Sequence, residues 1–114
     1  NVSILGWQAE PETVIGRHRV LLNTSFNEGM PNTVLQAIAW GTYVIGFDNR
    51  GMREIRERYP ESVFLVNFDD PVSAASAVKD VLSRGIPTQY VVPSAQDAKE
   101  LWIATIQGLI RAPG

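Results

Sequence analysis

Four short apolar runs interrupt the chain, and they constrain its fold more than any other feature. They are Val2–Leu5, Val20–Leu22 continuing into Asn23, Tyr43–Phe47 and Val63–Val66. Each run is continuous rather than alternating, which predicts strands covered on both faces. Strands of this kind are typical of parallel sheets.

The segments between and after these runs have helical character. The apolar spacing predicts helices over Pro31–Trp40, Gly51–Arg58 and Pro71–Arg84, a short helix starting at Pro11, and a last helix from Ser94 to about Arg111. Because strands alternate with helices, the sequence predicts an α/β fold with a parallel sheet.

Residues at the helix ends and on the helix faces add detail. Pro31 is expected in the first turn of its helix and Gly41 just past the end, while Asp69 or Asp70 is expected to cap the helix that begins at Pro71. The buried stripes are predicted to contain Met52, Ile55 and Tyr59 in one helix and Val72, Ala75, Val78 and Leu82 in the next. Four arginines interleave with two glutamates, which predicts a solvated, ion-paired face: Arg50, Arg53, Arg56, Arg58, Glu54 and Glu57.

The apolar arc of the last helix is unusually wide. Ala98, Trp102, Ile106 and Leu109 form one stripe, with further apolar residues on both sides of it. A helix that rests on a single core needs a narrower face. Two readings remain open, a helix wedged into its own domain or a helix that contacts a missing domain or a second chain.

Composition excludes several classes of protein. The 114 residues include no Cys and one His, which argues against a disulfide framework and a His-rich metal site. The single His, His18, is expected to be structural or solvated rather than catalytic. A net charge of −2 argues against nucleic-acid binding. The chain has neither a bilayer-length apolar run nor a recognisable signal peptide, so we expect a cytoplasmic protein, free or peripheral to the membrane in its full-length form.

The loop after the second apolar run contains the residues best suited to binding a ligand. Ligands of α/β sheets bind at the carboxyl ends of the strands, and here the helix after Pro31 begins with amides of Asn32, Thr33 and Val34 that could hold a diphosphate. Gly29 permits close approach. Glu28 could accept hydrogen bonds from sugar hydroxyls, and Gln36 could reach a ribose.

The same stretch, Leu21–Glu54, resembles the nucleotide-sugar-binding segment of the family 4 glycosyltransferases, which have the GT-B architecture of two Rossmann-like domains. The matching residues are Ser25, Glu28-Gly29-Met30-Pro31, Gln36-Ala37-Ile38-Ala39, Gly41, Asp48, Gly51 and Glu54. The resemblance implies a Rossmann-like sheet with flanking helices in which residues 1–114 are part of a C-terminal donor-binding domain. It also implies transfer of a sugar from a UDP- or GDP-sugar to an acceptor, with retention and without an essential metal or cofactor.

Roles for single residues follow from the same resemblance. Glu28 takes the catalytic, sugar-contacting position, and Gly29, Met30, Asn32 and Thr33 take donor-binding positions. Pro31 completes the motif but has no amide to give. Gln36 stands where the family has a second Glu, which could weaken or tune donor binding. Glu54 is either a site residue or a structural hydrogen-bond acceptor.

The resemblance also shows what these 114 residues lack. The family's cationic clamp for the leaving diphosphate comes from earlier strands, so we expect the isolated chain to be inactive. In the family's strand order Val2–Leu5 lies at one edge of the sheet, and two strands that these residues do not contain separate it from the Val20 strand. We therefore expect Val2–Leu5 to be placed differently or to borrow contacts from another chain. Two alternatives to a transferase stay open, a non-catalytic nucleotide-sugar-binding module and a Rossmann-like interaction module.

Overall fold

The computed structural model describes residues 1–26, 29, 31–85, 100 and 103–108. Strands and helices alternate along this part of the chain, as the sequence predicts. Their order is α1 (Pro11–Gly16), β1 (Val20–Asn23), α2 (Asn32–Ala39), β2 (Tyr43–Phe47), α3 (Arg50–Arg58), β3 (Val63–Val66) and α4 (Pro71–Ser83).

The three strands form one parallel sheet in the order β1-β2-β3. Leu21 pairs with Val44, and Val44 pairs in turn with Val63. Each strand therefore lies beside the next one in the chain, with a single helix as the crossover. The predicted α/β class and the Rossmann-like arrangement of a parallel sheet between helices are confirmed.

The two faces of the sheet have separate hydrophobic clusters. The first cluster joins the sheet to α1, α2 and α3 through Ile15, Val34, Ala37, Ile38, Val44, Met52, Ile55 and Val63. The second joins it to α4 through Tyr43, Ile45, Val66, Ala74, Ala77, Val78 and Val81. The helices thus cover both faces, which is why β2 reads as a continuous apolar run.

The predicted first strand, Val2–Leu5, is wrong. Residues 1–8 have no regular structure, and the exposed fractions of Val2, Ile4 and Trp7 are 94%, 95% and 87%. An apolar run favours burial, but a strand also needs a neighbour to satisfy its backbone hydrogen bonds. In the described part of the chain no strand lies beside this segment.

The predicted buried stripe of α4 is also wrong in part. Val72 is 75% exposed, and Ala75 and Leu82 are exposed as well. Instead, Ala74, Ala77 and Val81 pack against the sheet beside Val78. Both sets follow helical spacing, so periodicity alone could not choose between them. Hydrogen bonds at the C-terminal end of α4 favour the observed orientation of this helix about its own axis. Arg19 Nη2 donates to the carbonyl of Leu82 (2.7 Å), and the Tyr43 hydroxyl donates to the carbonyl of Gly85 (2.9 Å).

The helix ends follow the sequence with one correction. Pro31 is the N-cap of α2 rather than a first-turn residue. Gly41 has a φ of 74° just past the end of that helix, as expected. Asp70 caps α4, accepting from the backbone N–H of Ser73 at 2.9 Å.

Most of the predicted last helix lies outside the described residues. Residue 100 and residues 103–108 are helical, and both Ile103 and Ile106 are exposed. Ala98, Trp102 and Leu109, as well as the linker before the helix, fall in the part that is not described. The choice between the two readings of this helix stays a prediction.

Candidate functional site

The loop that leaves β1 is fixed by hydrogen bonds on both sides of Ser25. The backbone N–H of Ser25 donates to Asn23 Oδ1 (3.2 Å), and the carbonyl of Ser25 accepts from Asn49 Nδ2 (3.1 Å). Because all three strands are parallel, their carboxyl ends lie at one edge of the sheet, where α/β proteins bind ligands. The start of the predicted binding loop is therefore held at this edge.

Asn49 connects two of the loops at this edge. It is the N-cap of α3, and its Oδ1 accepts from the backbone N–H of Met52 at 3.0 Å, while its Nδ2 holds Ser25. The side chain is buried. One amide thus fixes the loop after β1 relative to the loop after β2, a role that the sequence analysis missed. The signal was an N-cap residue placed before Arg50 and Gly51.

The N-terminus of α2 has no compensating group among the described residues. Its N-cap, Pro31, makes no side-chain capping bond, and the first turn contains no acidic residue. Asn32 and Thr33 are exposed there. The positive end of the helix dipole is therefore open to an anion.

Of the three amides predicted to be available at this helix end, that of Val34 is already used. Its N–H donates to the carbonyl of Pro31 at 3.1 Å, and Val34 is fully buried. The expected contribution of Val34 to anion binding is therefore wrong, because the N-cap carbonyl closes the first turn onto it. The donor-binding role of Asn32 and Thr33 stays a prediction.

The structure describes two of the remaining predicted site residues and leaves two outside the described part of the chain. Gly29 is exposed, and no described residue comes within 4 Å of the place where its Cβ would stand. Gln36 is half-buried on α2, one turn beyond Asn32. Glu28 and Met30 lie outside the described residues. The structure thus brings Pro31, Asn32 and Thr33 together at one helix end, with Gln36 further along the same helix.

The two acidic residues of the motif beyond α2 are already paired with arginines. Arg53 Nε donates to Asp48 Oδ1 at 2.5 Å, and this hydrogen bond holds the pKa of Asp48 below its ordinary value. Glu54 Oε1 lies 3.4 Å from Arg50 Nε, and both side chains are exposed. The predicted ion-paired face of α3 is therefore confirmed in part: Arg50 pairs with Glu54 within the helix, whereas Arg53 pairs with Asp48, which precedes the helix. Both readings of Glu54, as a site residue and as a structural acceptor, stay predictions.

An aromatic cluster at the same sheet edge was missed by the sequence analysis. The cluster consists of Phe26, Phe47 and Phe68. The ring centroids of Phe26 and Phe68 are 3.9 Å apart, and that of Phe47 lies 5.3 Å from Phe68 and 6.1 Å from Phe26. The signal was a phenylalanine at or just after the end of every strand. We refer to these residues as the aromatic cluster.

The described ranges contain no helix long and apolar enough to cross a membrane. Nor do they bring together three His, Cys, Asp or Glu side chains that could bind a metal ion.

Comparison with known proteins identifies the family. Residues 1–84 match the family of group 1 glycosyl transferases, so the match covers the elements from α1 to α4 given above, together with the N-terminal segment. No curated protein and no solved structure matches the chain. Because the family match spans well over half of the sequence and includes the sheet and the loop beside α2, the chain belongs to the group 1 glycosyl transferases.

Proposed function

We propose that this chain is the donor-binding part of a glycosyltransferase of family 4, located in the C-terminal domain of a GT-B parent. The parent would transfer a sugar from a UDP- or GDP-sugar to an acceptor with retention. Family membership supports a transferase. The observation that supports donor binding best is the N-terminus of α2, which lies at the carboxyl edge of the sheet with no acidic residue in its first turn.

The diphosphate of the donor is proposed to bind at this helix end. The amides of Asn32 and Thr33, together with that of Met30, would donate to its oxygens, and the helix dipole would favour the negative charge. No described residue comes within 4 Å of the place where a Cβ of Gly29 would stand, which supports close approach of the phosphates. Pro31 contributes no donor, but it leaves the helix end without a competing side-chain cap.

The two ends of the donor are assigned to Glu28 and Gln36. Glu28 would accept hydrogen bonds from sugar hydroxyls, which positions the sugar for transfer. Gln36 would both donate to and accept from a ribose hydroxyl. A carboxylate at that position would make a stronger, charge-assisted bond, so we expect donor affinity to be attenuated here.

Chemistry at the leaving group needs positive charge that this segment does not contain. No Lys or Arg occurs between Val20 and Asn49, so β1, the loop after it and α2 supply no cation of their own. Transfer leaves a nucleoside diphosphate, whose developing charge must be stabilised. We therefore propose that another part of the parent supplies the cations, and that these 114 residues bind the donor without turning it over.

The alternative function is a binding module for nucleotide-sugars without catalysis. It is favoured by one observation, the neutral Gln36 on α2 in the place of the family's Glu. Under this alternative the parent would bind the donor and form no transfer product.

Calorimetric titration with UDP, GDP and their sugar conjugates tests donor binding. We expect Glu28→Ala to weaken binding of a sugar nucleotide by roughly tenfold, one hydrogen bond to a charged group, and to leave binding of the free nucleotide unchanged. Gln36→Glu should tighten both. Gln107→Glu adds the same charge on an exposed helical position and serves as the matched control. If neither nucleotide binds, the donor-binding proposal is wrong.

Product formation by the parent then separates the two functions. A transferase releases UDP or GDP when donor and acceptor are both present. A parent that binds the donor but releases neither nucleotide nor glycosylated product would establish the binding module instead.

A further inference from the structure

Four residues at the carboxyl edge of the sheet are joined in a closed cycle of hydrogen bonds. The backbone N–H of Ser25 donates to Asn23 Oδ1 at 3.2 Å, and Asn49 Nδ2 donates to the carbonyl of Ser25 at 3.1 Å. Met52 closes the cycle, because its N–H donates to Asn49 Oδ1 at 3.0 Å and its sulfur accepts from Asn23 Nδ2 at 3.6 Å. We refer to Asn23, Ser25, Asn49 and Met52 as the sheet-edge network.

The hydrophobic core holds the sheet-edge network in place. Met52 is fully buried in the cluster that joins the sheet to α1, α2 and α3, and Asn49 is buried as well. Gly46 pairs with Asn23 in the sheet, and its lack of a side chain makes room for Met52, since a Cβ at Gly46 would meet Met52 Cε at 2.7 Å. The fold itself therefore forms this network, before any ligand binds.

The loop that follows Ser25 in the sequence is held at its two ends by different means. At its start, Ser25 is held by the sheet-edge network. At its end, Pro31 is buried, and its carbonyl accepts from the N–H of Val34 at 3.1 Å. Val34 packs in the hydrophobic cluster together with Ala37 and Ile38. The start of α2 is thus fixed by the packing of its own residues.

The two ends of the proposed donor site therefore depend on the sheet-edge network to different degrees. The amides of Asn32 and Thr33, proposed above to bind the diphosphate, belong to α2. Glu28, proposed above to bind the sugar, is three residues from Ser25 and three from Pro31 in the sequence. A side chain on a loop is placed accurately only when hydrogen bonds support the backbone around it. Loss of the bond to Ser25 should therefore affect the sugar end of the donor more than the diphosphate.

We propose that Asn49 is a positioning residue for the sugar end of the donor. Its bond to the carbonyl of Ser25 fixes the backbone from which Glu28 reaches the sugar, while Asn49 itself touches no substrate. Because this backbone is ordered before the donor arrives, less conformational entropy is lost on binding. The inference rests on the proposed donor-binding function, and it adds a residue after β2 to a site that is otherwise built after β1.

Two substitutions of Asn49 separate positioning from stability. Serine caps helices about as well as asparagine, so Asn49→Ser keeps an acceptor for the N–H of Met52 but has no amide nitrogen for the carbonyl of Ser25. Asn49→Ala loses both bonds and should be the less stable of the two in urea denaturation. In calorimetric titrations both variants should bind a sugar nucleotide roughly fivefold more weakly and bind free UDP or GDP with unchanged affinity.

The matched control is Asn67→Ser, the same change at an exposed position after β3, which should alter neither affinity. Sugar-nucleotide affinity that falls in Asn49→Ala alone, in step with its stability, would overturn the positioning role.

A double substitution tests whether Asn49 acts through Glu28. Glu28→Ala removes the carboxylate, so the addition of Asn49→Ser to it should weaken sugar-nucleotide binding no further. An equal further loss in the double variant would show that Asn49 affects the donor by another route, and the assignment would fall.

Amide hydrogen exchange is a second measurement, and it needs no ligand. In Asn49→Ser the N–H of Ser25 should exchange faster than in the unsubstituted chain, because Ser25 has lost the bond to its carbonyl. The N–H of Val34, on the separately fixed α2, should keep its rate. An unchanged rate at Ser25 would mean that Asn23 fixes the loop alone, which contradicts the role assigned to Asn49.

The titrations distinguish failure of this inference from failure of the proposed function. If the unsubstituted chain binds a sugar nucleotide and Asn49→Ser binds it as tightly, the positioning role is wrong and donor binding stands. If the unsubstituted chain binds neither UDP, GDP nor their sugar conjugates, donor binding is wrong and the positioning role falls with it.

Discussion

At the carboxyl edge of the sheet, the side chain of Asn49 makes two hydrogen bonds that stabilise the fold. It caps α3 through its oxygen and holds the carbonyl of Ser25 through its nitrogen. Asn49→Ala removes both bonds and leaves buried backbone groups unsatisfied, so we expect the free energy of unfolding to fall by about 1–3 kcal/mol.

Urea denaturation measures this loss. Asn67→Ala, an identical change at an exposed position after β3, is the matched control and should cost under about 0.5 kcal/mol. Equal destabilisation by the two substitutions would contradict the role assigned to Asn49.

Asp70 links the stability of the fold to pH. Hydrogen bonds from the Ser73 hydroxyl (2.6 Å) and the Ser73 backbone N–H (2.9 Å) hold the pKa of Asp70 below its ordinary value of 3.8. The folded state therefore favours the carboxylate. This contribution is complete above pH 3.8 and is lost as the pH falls through the lower folded-state pKa.

Thermal unfolding followed from pH 6 to about pH 2 tests this linkage. Asp70→Asn keeps a capping oxygen but cannot titrate, so its stability should decline less over the acid range. Ser73→Ala removes the hydroxyl donor and should give an intermediate profile. An unchanged pH profile in Asp70→Asn would show that another group controls the acid transition.

At the scale of single residues the sequence predicted caps better than it predicted site geometry. The cap at Asp70 follows from residue type and position, because the bond is local. The use of the Val34 amide by Pro31 could not be predicted, since it depends on how tightly the first turn closes. Nor could the bond from Asn49 to Ser25, which joins residues 24 positions apart.

At the scale of the elements, the C-terminal end of α2 requires a residue in the left-handed region of backbone conformation. Gly41 has a φ of 74°, a region that costs a residue with a Cβ roughly 1–2 kcal/mol. We expect Gly41→Ala to lower the free energy of unfolding by about that amount. Gly85→Ala, where the φ is not positive and no described residue comes within 4 Å of the added Cβ, is the control and should be nearly neutral. Chemical denaturation of both variants measures the difference.

Strands β1, β2 and β3 could be predicted from the sequence, whereas the orientation of α4 about its axis could not. The bounds of β2 and β3 are the apolar runs themselves, because helices cover both faces of the sheet. In α4 two apolar stripes compete, and hydrogen bonds from Arg19 and Tyr43 to its C-terminal end accompany the stripe that is buried. Contacts of this kind join distant parts of the sequence, so local periodicity does not contain them.

For the whole molecule, the N-terminal segment is separate from the core. Val2, Ile4 and Trp7 are almost fully exposed, so removal of residues 1–8 should change the free energy of unfolding by less than about 0.5 kcal/mol. Denaturation of the truncated and the whole chain tests this. A larger loss would mean that the segment packs against the domain in solution. The prediction of a strand here failed because composition reports apolarity and says nothing about an available neighbour.

Some features of the whole site can be predicted from the sequence, and others cannot. The helix that starts beside Pro31 and its lack of an acidic first turn are visible in the sequence. The convergence of Phe26, Phe47 and Phe68 is not, since it needs the order of the strands as well as their ends.

The order β1-β2-β3 also has a kinetic consequence. Each strand pairs with the next strand in the sequence: Val20 pairs with Tyr43, and Val44 pairs with Val63. The described strands can therefore pair without contacts between segments that are far apart in the sequence. Most parallel sheets fold slowly because their loops are long, and sequence-local contacts shorten the search. We expect β2, which has a partner on each side, to form the folding nucleus, with refolding faster than is usual for sheets whose neighbouring strands are far apart in sequence.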